Sequence, residues 1–155
     1  MSGLMIAPRH LRGQRVLRPP WVGVFFLWTS GIHVGIVAAG PDLYAHFADH
    51  ALVPGLARVW SEVFMAYPTF FGLAVAALEA CLGLLLVASP RPRRFGWAGA
   101  IAFQCALMAF GWGFWIWSLP ALTFLVPAAI MDARTAGWDR SSSVPRLEAS
   151  RLPGR

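Results

Sequence analysis

Apolar and charged residues alternate in long blocks along this chain. Four apolar stretches run at roughly 19–40, 67–90, 95–113 and 114–131. A helix needs about 17–25 apolar residues to cross the hydrocarbon core of a bilayer, and the first two stretches meet that length outright. The last two come from one run, Phe95 to Met131, that holds no Asp, Glu, Arg or Lys. That run is too long for one spanning helix and suits two of about 18 residues, with Gly111-Trp112-Gly113 as the hairpin. Residues 41–66, between the first two stretches, are neither a tight turn nor polar throughout. Leu56, Val59, Trp60, Val63, Phe64 and Tyr67 recur at helical spacing, while Arg58, Ser61 and Glu62 fall elsewhere. This predicts an amphipathic helix lying on the outer leaflet or capping the bundle. Pro68 suits the first turn of the second span, where a missing N–H costs little. The pattern as a whole predicts an all-α fold: an integral membrane four-helix bundle with an extracytoplasmic amphipathic loop helix.

Charge orients these elements. All thirteen basic residues are arginines. Arg9, Arg12, Arg15 and Arg18 precede the first span, and Arg91, Arg93 and Arg94 lie between the second and third. Arg134, Arg140, Arg146, Arg151 and Arg155 follow the fourth, whereas the loop at 41–66 carries Arg58 alone beside Asp42, Asp49 and Glu62. The positive-inside rule then places both termini in the cytoplasm of a multi-pass protein of the cytoplasmic (inner) membrane. Residues 1–18 read as a cytoplasmic lead. Residues 132–155, with Ser141-Ser142-Ser143, Pro145 and Pro153, read as a disordered cytoplasmic tail that cannot bury enough apolar area to fold. Val37-Ala38-Ala39 before Gly40 has signal-peptidase spacing, but the long lead and long apolar stretch fit a retained signal anchor.

Composition agrees. The chain is 57% hydrophobic and 13% charged, with eight Trp and eleven Phe, outside the usual soluble range. Its formal charge of +6 does not point to nucleic acid, because the arginines flank apolar spans instead of lining a basic groove. Anionic lipid headgroups are the expected partner. Trp21, Trp112, Trp115 and Trp117 sit near span ends, as interfacial anchors do.

Candidate chemistry lies where polarity is expensive. An ionisable group at membrane depth costs a few kcal/mol, so it tends to face the bundle interior and to find a partner. His33, Glu79 and Gln104 stand out within the spans. At a rise of ~1.5 Å per residue, Glu79 and Gln104 both lie ~14 Å from the cytoplasmic ends, near the level of Thr29, Ser30 and Thr123. Small residues, which mark close helix contacts, share their stripes: Gly72, Ala76, Ala80 and Gly83 with Glu79, and Gly96, Ala100 and Gly111 with Gln104. Gly31-x-x-x-Gly35 plays that part in the first span. Glu79 is therefore expected to point inward as a neutral acid, donating to Gln104 or Ser30 or facing an internal cavity. Glu79, Gln104, His33 and Ser30 are the candidates for ligand or proton handling, against the plainer reading of a Glu–Gln hydrogen bond that fixes packing. His33 lies ~9 Å from the outer surface and is expected off the level of Glu79, as a packed neutral imidazole. A bis-His haem needs a second histidine within the spans, and there is none.

Outside the spans, Asp42, His46, Asp49 and His50 fall on one helical face, a spacing that can bind zinc or a similar ion, or simply form a solvated polar face. Cys81 and Cys105 lie within spans two and three without a CxxC, and read as buried structural thiols. No nucleotide loop, nucleophile elbow or metalloprotease motif is present.

Together, the Gly31-rich first span, the loop through Phe47 to Pro54, the run Leu78-Glu79-Ala80-Cys81-Leu82-Gly83-Leu84-Leu85-Leu86-Val87, the short basic turn and the Gly/Ala-rich third span resemble the DoxX family. The resemblance covers about Val22 to Met131. In that family a glutamate stands in the second span just before a Gly-Leu-Leu-Leu run, and Glu79 matches it. Members often end near a Ser-Leu-Asp, of which Asp132 is retained here. The resemblance implies a small membrane subunit like that of thiosulfate:quinone oxidoreductase, working with a redox or thiol-stress partner, and a quinone as ligand. Trp28, Phe103 and Phe110 are aromatics that could pack its ring. Two other classes fit the residues: a small proton-coupled carrier or permeation unit, built as an oligomer around Glu79, and a structural assembly factor. Reporter fusions or cysteine accessibility test the topology, and should place Arg15, Arg93 and Arg140 in the cytoplasm and Asp49 outside. One reporter in the opposite compartment would defeat the four-span reading.

Overall fold

The computed structural model describes residues 20–142, with side chains described for 21–135. Every regular element among them is helical. α1 (Pro20–Ala39) leads through a 3-10 turn (Pro41–Ala48) to α2 (Pro54–Val59), which widens into a π turn (Trp60–Phe64). α3 (Pro68–Val87), α4 (Pro90–Leu107), a 3-10 turn (Met108–Phe110) and α5 (Trp112–Ser142) follow. Prolines open α1, α2, α3 and α4 at the position where the absent N–H would go unbonded anyway. Beyond those starts the apolar stretches continue as helices, interrupted within α1 and α3 by no proline and, histidine aside, by a single acidic or basic side chain, Glu79.

Among the described residues, three helices are long and apolar enough to cross a membrane: Trp21–Ala39, Pro68–Val87 and Trp112–Thr135. Their outward faces are apolar too, with Phe70 66% and Ile116 70% exposed. So large an apolar surface suits lipid as its solvent. The stretch expected at 95–113 differs. Its helix starts earlier, at Pro90, takes Arg91, Arg93 and Arg94 into its first turns, and ends at Leu107. The basic turn shrinks to Ala88-Ser89 because Pro90 can begin a helix at once. The expected tail also differs, since α5 carries on through Asp132 to Ser142. Residues 1–18 and 143–155, expected as lead and tail, lie outside the described residues.

α3 packs between α1 and α4, and α4 between α3 and α5. The α1–α3 contact is the tightest, and glycine makes it so. A Cβ on Gly23 would sit 2.8 Å from the Gly83 carbonyl oxygen, and one on Gly83 would sit 2.7 Å from the Gly23 oxygen. Gly31 and Gly35, expected to do this, instead have nothing within 4 Å of an added Cβ and face outward. α1 and α5 meet through rings: Trp21 and Phe124 at 4.6 Å, Phe25 and Trp117 at 6.0 Å. Val22, Phe26, Leu82, Leu86, Trp97, Ala100 and Leu125 form the core between them.

The two ends are closed differently. At the Ala88-Ser89 end, Arg93 is buried and donates to the Ala88 carbonyl (2.6 and 3.2 Å) and to Asp132 (3.0 Å), which also accepts from the Trp97 indole at 3.2 Å. This ties the α3–α4 turn to α5. At the other end, the Leu52 amide donates to the Ala109 carbonyl at 3.0 Å, joining the long loop to the α4–α5 hairpin. Gly111 makes that hairpin. Its φ of 99° suits glycine, and a Cβ there would run into the His50 carbonyl.

Gly83→Ala should destabilise the protein by about 1–3 kcal/mol, because overpacking must push α1 off α3. Gly35→Ala should be neutral. Denaturant unfolding in detergent compares the two, and equal stability of Gly83→Ala and wild type would mean that the crossing is not tight.

Candidate functional site

Because α1 leans on α3, space is left between α1 and the start of α5. A cavity of about 530 Å³ fills it, walled by α1, α3, α4, the first turn of α5 and the long loop. Most of its wall is aromatic. Phe25, Phe26 and Trp28 come from α1, Phe103 from α4, and Phe114 and Trp117 from α5. The loop adds Tyr44, Phe47, Trp60 and Phe64, whose rings stack into a roof: Trp60 on Phe64 at 3.7 Å, Phe47 on Trp60 at 6.2 Å, and Tyr44 against Phe64 at 5.2 Å. Leu56, Trp60 and Phe64 are spaced four apart, so they share the inward side of the segment, while Val59, Val63 and Tyr67 point out.

Four polar side chains besides Tyr44 line the same cavity: Thr29, His33, Glu79 and Gln104. Glu79 and Gln104 are 4% and 3% exposed, and Glu79 Oε2 and Gln104 Oε1 have no hydrogen-bond partner among the described residues. Buried polar atoms are nearly always bonded, so unpaired ones in a cavity wall call for an explanation. The expected bond from Glu79 to Gln104 or Ser30 is not formed. Glu79 faces the cavity, and its nearest ionisable neighbour is His33, with Nε2 3.7 Å from Oε2. That distance is too long for a hydrogen bond. The expectation that His33 lies off the level of Glu79 is thereby corrected.

The other ring nitrogen of His33 is held firmly. Nδ1 lies 2.7 Å from the Tyr44 hydroxyl, and the two rings are nearly parallel. Tyr44 is buried where Gly72 leaves room, since a Cβ there would lie 2.8 Å from the Tyr44 ring, and its carbonyl accepts from the Trp60 indole at 2.8 Å. Burial, and then the Glu79 carboxyl nearby, push the Tyr44 phenol above its ordinary pKa, so it stays a protonated donor. When it donates to Nδ1, a neutral imidazole carries its proton on Nε2, toward Glu79.

The remaining sequence candidates do not join the site. Ser30 is absent from the cavity wall; Thr29, one residue and 100° away on the helix, takes that place and donates to the Phe26 carbonyl at 3.0 Å. Thr123 is exposed and bonds to the Pro120 carbonyl. The proposed metal face of Asp42, His46, Asp49 and His50 does not assemble. Among the described residues no group of three or more His, Cys, Asp or Glu could hold a metal ion. His46 and Asp49 pair at 3.1 Å in the open, and the His50 ring turns to Trp112 at 5.5 Å. The 3-10 winding of Pro41–Ala48 breaks the α-helical phase that would have aligned the four. Cys81 and Cys105, expected buried, are exposed. Tyr44 and the buried Ser118 were not flagged by the sequence, and only the tertiary partner of Tyr44, or the local burial of Ser118, marks them. No family model, curated protein or solved structure matches the chain.

Glu79→Gln should keep the fold within about 1 kcal/mol, because an amide fits the same wall and removes a buried acid. Glu79→Lys should cost about 3 kcal/mol or more in insertion. Yield of folded protein in membranes reads both, and a Gln variant as poorly inserted as the Lys variant would contradict this geometry.

Proposed function

We propose that this chain is a multi-pass protein of the cytoplasmic (inner) membrane in which α1, α3, α4 and α5 form a four-helix bundle with both termini in the cytoplasm. In this reading it is a DoxX-like accessory subunit that holds a quinone for a redox partner. One observation carries the proposal: an aromatic cavity lined by Glu79 and Gln104, each of which buries one side-chain oxygen without a hydrogen-bond partner among the described residues. α4 fits the bundle despite its three arginines. Arg93 is neutralised by Asp132, and Arg91 and Arg94 can extend to the headgroups from a helix end.

The residues suit a quinone head. The volume lies within the usual range for small-molecule sites. Phe25, Trp28, Phe103 and Phe110 offer ring faces and edges to a flat conjugated head. Gln104 and His33 can donate to carbonyl oxygens, and Glu79, when protonated, can do the same. A bound quinone would supply two-electron, two-proton redox chemistry. The protein's share is to orient the head, keep water out with the aromatic roof, and hold a proton at Glu79 or at His33 Nε2. Solvent extraction and mass spectrometry of protein purified from membranes should recover about one quinone per chain, and Glu79→Gln should reduce that yield severalfold. A wild type that carries none, and takes none from quinone-loaded vesicles, would rule the reading out.

A second reading, a small proton-coupled carrier, draws on the series Glu79, His33 and Tyr44, spaced at 3.7 and 2.7 Å. It requires pH-dependent flux into vesicles that stops in Glu79→Gln.

A further inference from the structure

We infer that the cavity opens sideways into the lipid, through a gap between α1 and the first turns of α5, and that its ligand is a bilayer-dissolved amphiphile that enters head first. This inference rests on the membrane-subunit reading and deepens it. Packing contacts cross the roof, the floor and the α1–α3 and α3–α4 walls. The roof of Tyr44, Phe47, Trp60 and Phe64 covers the loop end, with Trp60 also against Phe110 at 4.9 Å. Toward the opposite end, the Phe25–Trp117 and Trp21–Phe124 pairs close the floor. α1 and α3 touch at Gly23 and Gly83, and α3 and α4 touch where a Cβ on Gly96 would lie 2.9 Å from the Leu86 amide.

Between α1 and α5 the wall thins. Its edges are Trp28, 62% exposed, and Ile32 on α1, facing Trp117, 54% exposed, on α5. Gly113 completes the frame, lining the cavity with nothing within 4 Å of an added Cβ. The opening follows α1 from Phe25 to Ile36, ~16 Å along the helix axis. These edges are apolar and lie within two of the three helices that are apolar enough to cross a membrane. Glu79 and Gln104 sit on the far walls, on α3 and α4, while Thr29 and His33 line the cavity from α1. A molecule passing this doorway therefore presents its polar head to Glu79 and Gln104 and leaves its apolar tail among the acyl chains. A water-borne ligand meets the closed roof instead.

Gly113→Trp tests the doorway, because the open space around Gly113 accepts a side chain without disturbing packing. Gly35→Trp, outward-facing and away from the cavity, is the control. The probe is a decyl-tailed benzoquinone in phosphatidylcholine vesicles holding the full chain, with the tail-less benzoquinone in water as comparison. Expected is saturable binding of the tailed probe to wild type and Gly35→Trp, at least tenfold weaker binding to Gly113→Trp, and no saturable binding of the tail-less probe. Equal binding of the tailed probe to wild type and Gly113→Trp overturns the doorway, as does tail-less binding that ignores the substitution. A wild type that binds neither probe sinks the quinone reading separately. Native mass spectrometry of protein from its own membrane then decides the doorway: a lipophile-sized adduct is expected on wild type and missing from Gly113→Trp. An adduct kept by the variant, or absent from wild type, overturns it.

Discussion

The contact between Gly23 and Gly83 governs the rest of the structure. Two backbones approach until each glycine sits against the carbonyl of the other, which only small residues allow. In lipid, where apolar side chains gain little by leaving their surroundings, such close van der Waals packing and internal hydrogen bonds hold helices together. Drawing α1 onto α3 fixes its lean, and a helix pulled one way leaves room on the other. Large rings, not backbone contact, then span the distance from α1 to α5. The cavity is the space those rings do not fill.

Within that space, helix direction explains which polar groups converge. Side chains on a helix lean toward its N-terminus. α1 and α3 run antiparallel, so His33 leans toward the Ala88-Ser89 end and Glu79 toward the loop end. Their Cα positions differ by ~7 Å along the axes, counted from Ala39 and Pro68. Opposed leaning of two long side chains removes most of that offset and leaves 3.7 Å. The remaining gap is informative. A buried carboxyl and imidazole that wanted only each other would close to hydrogen-bond distance. Tyr44 holds the imidazole back from the other side at 2.7 Å, so Glu79 keeps an oxygen without a partner at the cavity wall.

Much of the fold was legible from the chain because the signals were long. Uninterrupted apolar stretches of about 20 residues have few alternatives to helices, and the outward-facing apolar side chains agree with them. The inward aim of Glu79 and Gln104 was legible for a related reason, since small-residue stripes mark contact faces over several turns. Features that depend on one or two residues were not. Ser30 and Thr29 share a depth and differ in phase by one position, and a depth count cannot choose between them. The Cα depth of His33 differs from that of Glu79, and the side-chain lean that brings the two within 3.7 Å is not visible in residue spacing. The face of Asp42, His46, Asp49 and His50 assumed α-helical phase, whereas Pro41–Ala48 winds as 3-10 helix. Gly31 and Gly35 matched a contact motif but face outward, while the working contact, Gly23 with Gly83, had no partner glycine at the motif's spacing.

Two glycines at the α4–α5 hairpin show how differently the same residue can be required. Gly111 is fixed by geometry: its φ of 99° and the neighbouring His50 carbonyl exclude a side chain. Gly113, two residues on, meets neither condition. Its backbone lies outside the left-handed region, and the space about it is open. Glycine in the first turn of a helix also lowers helix stability relative to alanine. Backbone strain and packing therefore give no reason for glycine at 113, whereas its place on the cavity wall does. A side chain there would project from the wall that Trp117 and Ile32 also line.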